Sequence, residues 1–214
     1  MLSTKDLSDL PKPAEIKIAM RHCAIIDIIM CDEVWIRSFT FDPNWSEGVA
    51  MAKYDNGGGD NMFVFFTADT AVIKGFDHES PVSPYAQDEF EVWPGIYDDL
   101  PCDLLALLDD PAISKDHVTF CVWHTASGWQ SGDVVFSNNE DDGSSFLLGV
   151  IYKTAEEYLE WAKFYFEQEI SKSAVEAVYE GKTVDAALIS ELNPLRNVKK
   201  ALAELEESGL RSLG

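Results

Sequence analysis

Between residues 14 and 32 the apolar positions recur at helical spacing. Ile18, His22, Ile25 and Ile29 form a stripe at steps of four, three and four, and Ile16, Cys23, Ile26 and Met30 widen it well beyond one narrow face. This predicts a largely buried N-terminal helix after the Pro11 and Pro13 punctuation. The period then changes to two. Residues 34–41 alternate and are rich in β-branched and aromatic side chains, which predicts a strand ending at Asp42-Pro43-Asn44. Residues 48–54, 62–67 and 71–76 read as a three-strand antiparallel meander, turned by Asp55-Asn56-Gly57-Gly58-Gly59-Asp60 and by Ala68-Asp69. Residues 117–124 and 130–136, joined at Ser127-Gly128, predict a further hairpin in the same sheet.

Four prolines (Pro81, Pro84, Pro94, Pro101) and four aromatics (Tyr85, Phe90, Trp93, Tyr97) lie in residues 80–101. Prolines at that spacing forbid a long helix or a central strand, so an ordered, aromatic-lined excursion is expected, with a short helix at 102–108 after it. From residue 153 the pattern becomes helical. Thr154-Ala155-Glu156-Glu157 and Ser173-Ala174-Val175-Glu176 both read as capping boxes, in which hydroxyl and glutamate satisfy each other's backbone N–H groups. Residues 184–192 form another helix. Asn193-Pro194 opens a last one, with Leu195, Val198, Leu202 and Leu205 inward and Gly209 at its end. Strands first and helices after predict an α+β fold: an antiparallel sheet with the N-terminal helix packed on it and a C-terminal helical region. The expected organisation is an α+β core over 1–152, with the acidic aromatic excursion at 77–110, and a helical region over 153–214 belonging to the same globule. Those last helices fit either a completed core or a dimer face.

Charge changes this picture. The 214-residue chain carries a formal −22, and between Gly75 and Tyr152 fifteen acids face a single base, Lys115, which places −14 in that segment. Such a field repels nucleic-acid phosphates and anionic membranes and favours cationic partners. No stretch approaches the roughly 18 consecutive apolar residues of a membrane span. The first dozen residues, with Asp6 and Asp9, lack the order of a secretory signal, so a soluble cytoplasmic protein is expected. Cys23, Cys31, Cys102 and Cys121 form no CxxC pair and read as buried free thiols of a reducing compartment.

Candidate chemistry is sparse. The glycine loop lacks the lysine and hydroxyl of a phosphate-binding loop and joins strand to strand, so its glycines serve the turn. Asp77-His78-Glu79-Ser80 brings an acid, a base and a hydroxyl together at a strand end. Carboxylates beside His78 favour its protonated form, which suits a general acid or a pH-sensitive contact; the alternative is a turn cluster in which Asp77 and Ser80 bond local N–H groups. His78, Glu79, His124 and an acid such as Asp60 are the available metal ligands, without a ligand spacing pattern, and no cofactor is expected. Residues 138–142 before Gly143 resemble part of a calcium loop, but the twelfth position is Gly149 where a glutamate is required. Cys121 lies three residues from His124 along a strand, on the opposite face. Trp93-Pro94-Gly95-Ile96-Tyr97 sits among acids, and rings beside carboxylates can anchor a partner's arginines and lysines.

The segments Gly57-Gly58-Gly59-Asp60, Ile73-Lys74-Gly75-Phe76-Asp77-His78-Glu79-Ser80-Pro81, Ser83-Pro84-Tyr85, Trp93-Pro94-Gly95 and Thr119-Phe120-Cys121-Val122-Trp123 resemble a family of acidic bacterial proteins. The resemblance spans most of the chain and implies a bacterial cytoplasmic setting; it brings no activity, cofactor or catalytic residue. Small acidic bacterial proteins with aromatic faces include immunity proteins that neutralise toxins. The expectation is a non-enzymatic module, of the immunity or inhibitor kind, that binds a basic protein partner through Asp88, Glu91, Trp93, Tyr97, Asp98 and Asp99. The alternative is an enzyme acting on a small polar substrate through Asp77, His78 and Glu79, with or without a metal.

Overall fold

The computed structural model describes residues 2–136 and 140–211. Its sheet has six strands in sequence order: β1 (Phe39–Ser46), β2 (Val49–Asp55), β3 (Asn61–Phe66), β4 (Ala71–Phe76), β5 (Phe120–Thr125) and β6 (Gly128–Ser131). The pairs from β2 to β6 are all antiparallel. The helices are α1 (Pro13–Met30), α2 (Cys102–Leu107), α3 (Ser144–Leu147), α4 (Ala155–Tyr165), α5 (Lys172–Tyr179), α6 (Ala186–Leu192) and α7 (Val198–Glu207). The class is α+β, as the order of elements predicts.

The chain divides into two compact units, each made of two segments. A sheet unit comprises Met1–Pro13 and Asn44–Val150; a helical unit comprises Ala14–Pro43 and Ile151–Gly214. In the sheet unit one face of the strands presents Met51, Phe63, Phe65, Val72, Cys121 and Trp123, every second residue of each strand, as the pleat requires. Ile96, Leu100, Leu104 and Leu108 from the excursion and its helix α2, with Ile113 from the 3₁₀ turn that follows, cover that face. The acidic segment is therefore amphipathic on the scale of a layer, with apolar side chains toward the sheet and carboxylates outward. Lys74 shares the covered face and is fully buried, with Nζ donating to Ile113 O at 3.0 Å and lying 5.4 Å from the Phe63 ring centre. Burial disfavours the ammonium and lowers its pKa to about 8.

In the helical unit α1 meets the start of β1 through Asp27, a fully buried carboxylate whose Oδ2 accepts the Phe39 N–H at 2.7 Å. Burial raises the Asp27 pKa to about 7, against the backbone bonds from Phe39 and Ser38. The Thr154–Glu157 capping box forms at α4 as predicted.

Several expectations are corrected. Residues 34–36 form a 3₁₀ turn, and the strand starts at Phe39 and runs through Pro43. β1 is the edge of the sheet, where a proline without an N–H is tolerated. β6 stops at Ser131, because the chain beyond it turns to the excursion, where Val135 O accepts the Trp93 indole N–H at 3.4 Å. α5 is capped by Ser171, whose hydroxyl accepts from Ala174 N, and both Ser171 and Ser173 donate to Glu191 at 2.6 Å. Asn193 caps no following helix: its amide reaches the last carbonyls of α1, Ile29 O and Met30 O. α7 starts at Val198 under Asn197, leaving Leu195 94% exposed. Ile18 also faces outward, and of the four free cysteines Cys102 is exposed. Asn138 and Asn139 of the calcium-loop comparison lie outside the described residues.

Candidate functional site

Two places in the sheet unit gather polar side chains. The first is a groove of about 710 Å³ outside the excursion. It is lined by Asp88, Glu89, Glu91, Asp98 and Asp133, with Val92, Trp93 and Val135 as its apolar wall. Its shape follows from local rules. Pro94-Gly95 reverses the chain with Gly95 at φ +90°, and Gly95 packs so tightly on Gly132 that a side chain at either would strike the other segment's backbone. That crossing carries Asp133 across from Trp93, forty residues earlier in sequence. Tyr85 and Phe90, neighbours of lining residues in sequence, stand 61% and 53% exposed, their rings 5.1 Å apart, and the Tyr85 hydroxyl meets His117 Nε2 at 2.8 Å.

Of the residues expected to meet a partner, Asp88, Glu91, Trp93 and Asp98 line this groove together. Tyr97 and Asp99 are not part of its lining. Tyr97 packs against the core and donates to Lys115 O at 2.7 Å, and burial raises its hydroxyl pKa. Asp99 is exposed, with left-handed backbone at φ +62°. Glu89 and Asp133 complete the acid ring and were not singled out by sequence; only the run of acids around Trp93 signalled the former, and no local pattern signalled the latter.

The second place is the end of the β3–β4 hairpin. The register pairs Asn61 with Phe76, so one step outward Asp60 stands opposite Asp77. His78 follows, with Nδ1 2.7 Å from Asp60 Oδ1, and its backbone N–H donates to the same oxygen at 2.9 Å. The glycine loop has a definite task here: Asn56 donates to Asp60 Oδ2 at 2.6 Å, while its own carbonyl oxygen accepts from Gly58 N and Asp60 N. Asp77 Oδ1 accepts from Glu79 N at 3.0 Å, and Ser80 Oγ donates to Asp141 O at 2.6 Å. Gly143 presses on Asp77 so closely that a methyl group there would overlap its carboxylate.

The electrostatics are uneven. Burial acts to raise the Asp60 pKa, but His78 and Asn56 outweigh it and hold the carboxyl below its ordinary 3.8. The bond to Asp60 raises the His78 pKa above 6.5. The stabilisation from His78 is complete below pH 6.5 and fades as pH rises through its higher folded value; that from Asp60 is complete above 3.8 and fades as pH falls through its lower one. The pair thus contributes fully between pH 3.8 and 6.5. Asp77 moves the other way, raised by burial and by the neighbouring charges of Asp60 and Asp141.

No protein-family model, curated protein or solved structure matches the chain. The geometry alone therefore carries the functional argument. Glu79 is exposed and touches His78 only at 3.9 Å. His124, weighed by sequence as a ligand, pairs with Ala71 at the opposite end of β4 and stacks edge-on against Trp129. Burial pushes the Cys121 thiol pKa up, against the opposing pull of Lys74 across the strand pair, which disfavours a thiolate. Among the described residues no helix is long and apolar enough to cross a membrane.

Proposed function

We propose that this chain is a non-enzymatic binding module whose acidic groove takes a basic segment of a protein partner, in the manner of an immunity or inhibitor protein. The observation that carries the reading is the convergence of five carboxylates on one concave wall that also holds Trp93. A ring and apolar side chains give contact area and cation–π attraction, while the carboxylates pair with guanidinium or ammonium groups. The surrounding negative field speeds the encounter and makes it sensitive to salt. No nucleic acid and no membrane surface fits that field. A cytoplasmic location accords with free thiols.

The test is binding by a variant in which Asp88→Asn, Glu91→Gln and Asp98→Asn remove three groove charges while preserving shape. Partner binding should fall steeply, through the association rate first; a variant that binds as the wild type does would end the proposal. The second reading, an enzyme acting on a small polar substrate, is favoured by the meeting of Asp60, Asp77 and His78, which supplies an acid of depressed pKa, one of raised pKa and a histidine in contact.

A further inference from the structure

Among the described residues, Asp60, Asp77 and His78 form the one group in which three such side chains each bring a donor atom within 4.8 Å of the others. Donors bound to one transition cation stand about 2.0–2.2 Å from it, so no two can be more than about 4.4 Å apart and tetrahedral neighbours stand about 3.3–3.6 Å apart. The largest contraction required is therefore at most about 1.5 Å, within the reach of a side-chain shift. His78 Nδ1 and Asp60 Oδ1 are held together by a hydrogen bond of 2.7 Å and would open by less than about 1 Å to stand as adjacent ligands. The donors are mixed, one imidazole nitrogen and two carboxylate oxygens, which suits a first-row transition cation better than magnesium or calcium.

The outer supports of such a site are also in place. The Asn56 amide holds the second oxygen of Asp60, and the Glu79 N–H holds Asp77 Oδ1, the kind of partner that orients ligating carboxylates. The charge balance points the same way. Two carboxylates stand side by side, Asp141 and Glu79 add to the field, and His78 when protonated offsets it in part. A dication would neutralise both aspartates.

We propose that Asp60, Asp77 and His78 bind one divalent first-row transition cation, His78 coordinating through Nδ1 and releasing to solvent the proton it shares with Asp60. The site lies apart from the groove residues and does not rest on the binding-module reading.

The experiment is calorimetric titration of chelator-treated protein with Zn²⁺, with the visible spectrum of Co²⁺ as a second readout. A single saturable equivalent is expected, with coordination bands from Co²⁺, proton release that depends on buffer, and no competition from excess Mg²⁺. His78→Ala and Asp77→Asn should remove the saturable phase. Asn56→Ala, which leaves all three ligands, should weaken it about 10- to 100-fold. The His78 side chain is 44% exposed, and its backbone bond to Asp60 survives truncation, so the alanine variant should keep the wild-type circular dichroism. The groove variant should bind Zn²⁺ like the wild type. Absence of a saturable phase would overturn the proposal, as would a phase kept by folded His78→Ala and lost on groove neutralisation.

Discussion

The two units of this protein use charge in opposite ways. The helical unit has seventeen acids and eleven bases, a net −6, whereas the sheet unit has twenty-one acids and five bases, a net −16. In the helical unit the charges hold elements together. Arg196, its side chain 1% exposed, donates to Ile28 O at 3.1 Å and pairs with both Asp32 and Glu204; Glu204 also receives Arg37. Burial would raise the Glu204 pKa, but the two arginines hold it below its ordinary value. In the sheet unit five bases cannot neutralise twenty-one acids, and five of those acids line one groove. Paired charge fixes the helices, whereas the sheet unit's surplus charge is left unneutralised, as the proposed partner binding requires.

The comparison can be broken most forcefully at Arg196. Arg196→Ala leaves Ile28 O and the partly buried Glu204 without their donor, removes a buried side chain, and should cost about 3 kcal/mol in urea unfolding. A loss of less than about 1 kcal/mol would mean that the helical unit's pairs are ornamental. Asp27 gives the next largest effect, through pH. Its folded pKa of about 7 lies above its ordinary 3.8, so between those values the folded state keeps a proton that the unfolded state has released. Stability must then fall as pH rises through that range, by up to about 1.4 kcal/mol per unit. Asp27→Asn removes this slope, so its stability relative to wild type should climb from pH 4 to pH 8. Parallel profiles for the two proteins would show that the acid is not held neutral. The smallest effect belongs to the groove. Asp88→Asn, Glu91→Gln and Asp98→Asn should each change stability by no more than about 0.5 kcal/mol, with the triple variant melting no lower than wild type.

Much of the fold was legible because its signals are local. The period-two runs from residue 48 to 76 and the stripes of α1 and α4 gave their elements, and register then put Asp60 beside Asp77. What escaped depends on tertiary partners. Ser173 has the capping-box spacing to Glu176, yet Ser171 caps α5, and both hydroxyls donate to Glu191 on α6. Leu195 fits a helical stripe until Asn193 is drawn to the end of α1. At the candidate sites, the acids around Trp93 could be read from the chain, but Asp133 could not, since the Gly95–Gly132 crossing that delivers it has no signature in either segment alone. His78 was visible as a site residue; that its partner would be the buried Asp60, steadied by Asn56, required the hairpin to be folded.

The central claim, that the surplus charge serves a basic partner, is tested most directly by matched affinity capture. Immobilised wild-type protein and the triple groove variant are challenged with the same bacterial lysate at low and at moderate salt, and any retained protein is purified and titrated against both. The account predicts a basic protein held by the wild type at low salt, released at moderate salt, and bound far more weakly by the variant. Equal retention by the two columns, or nothing specific on either, would contradict it.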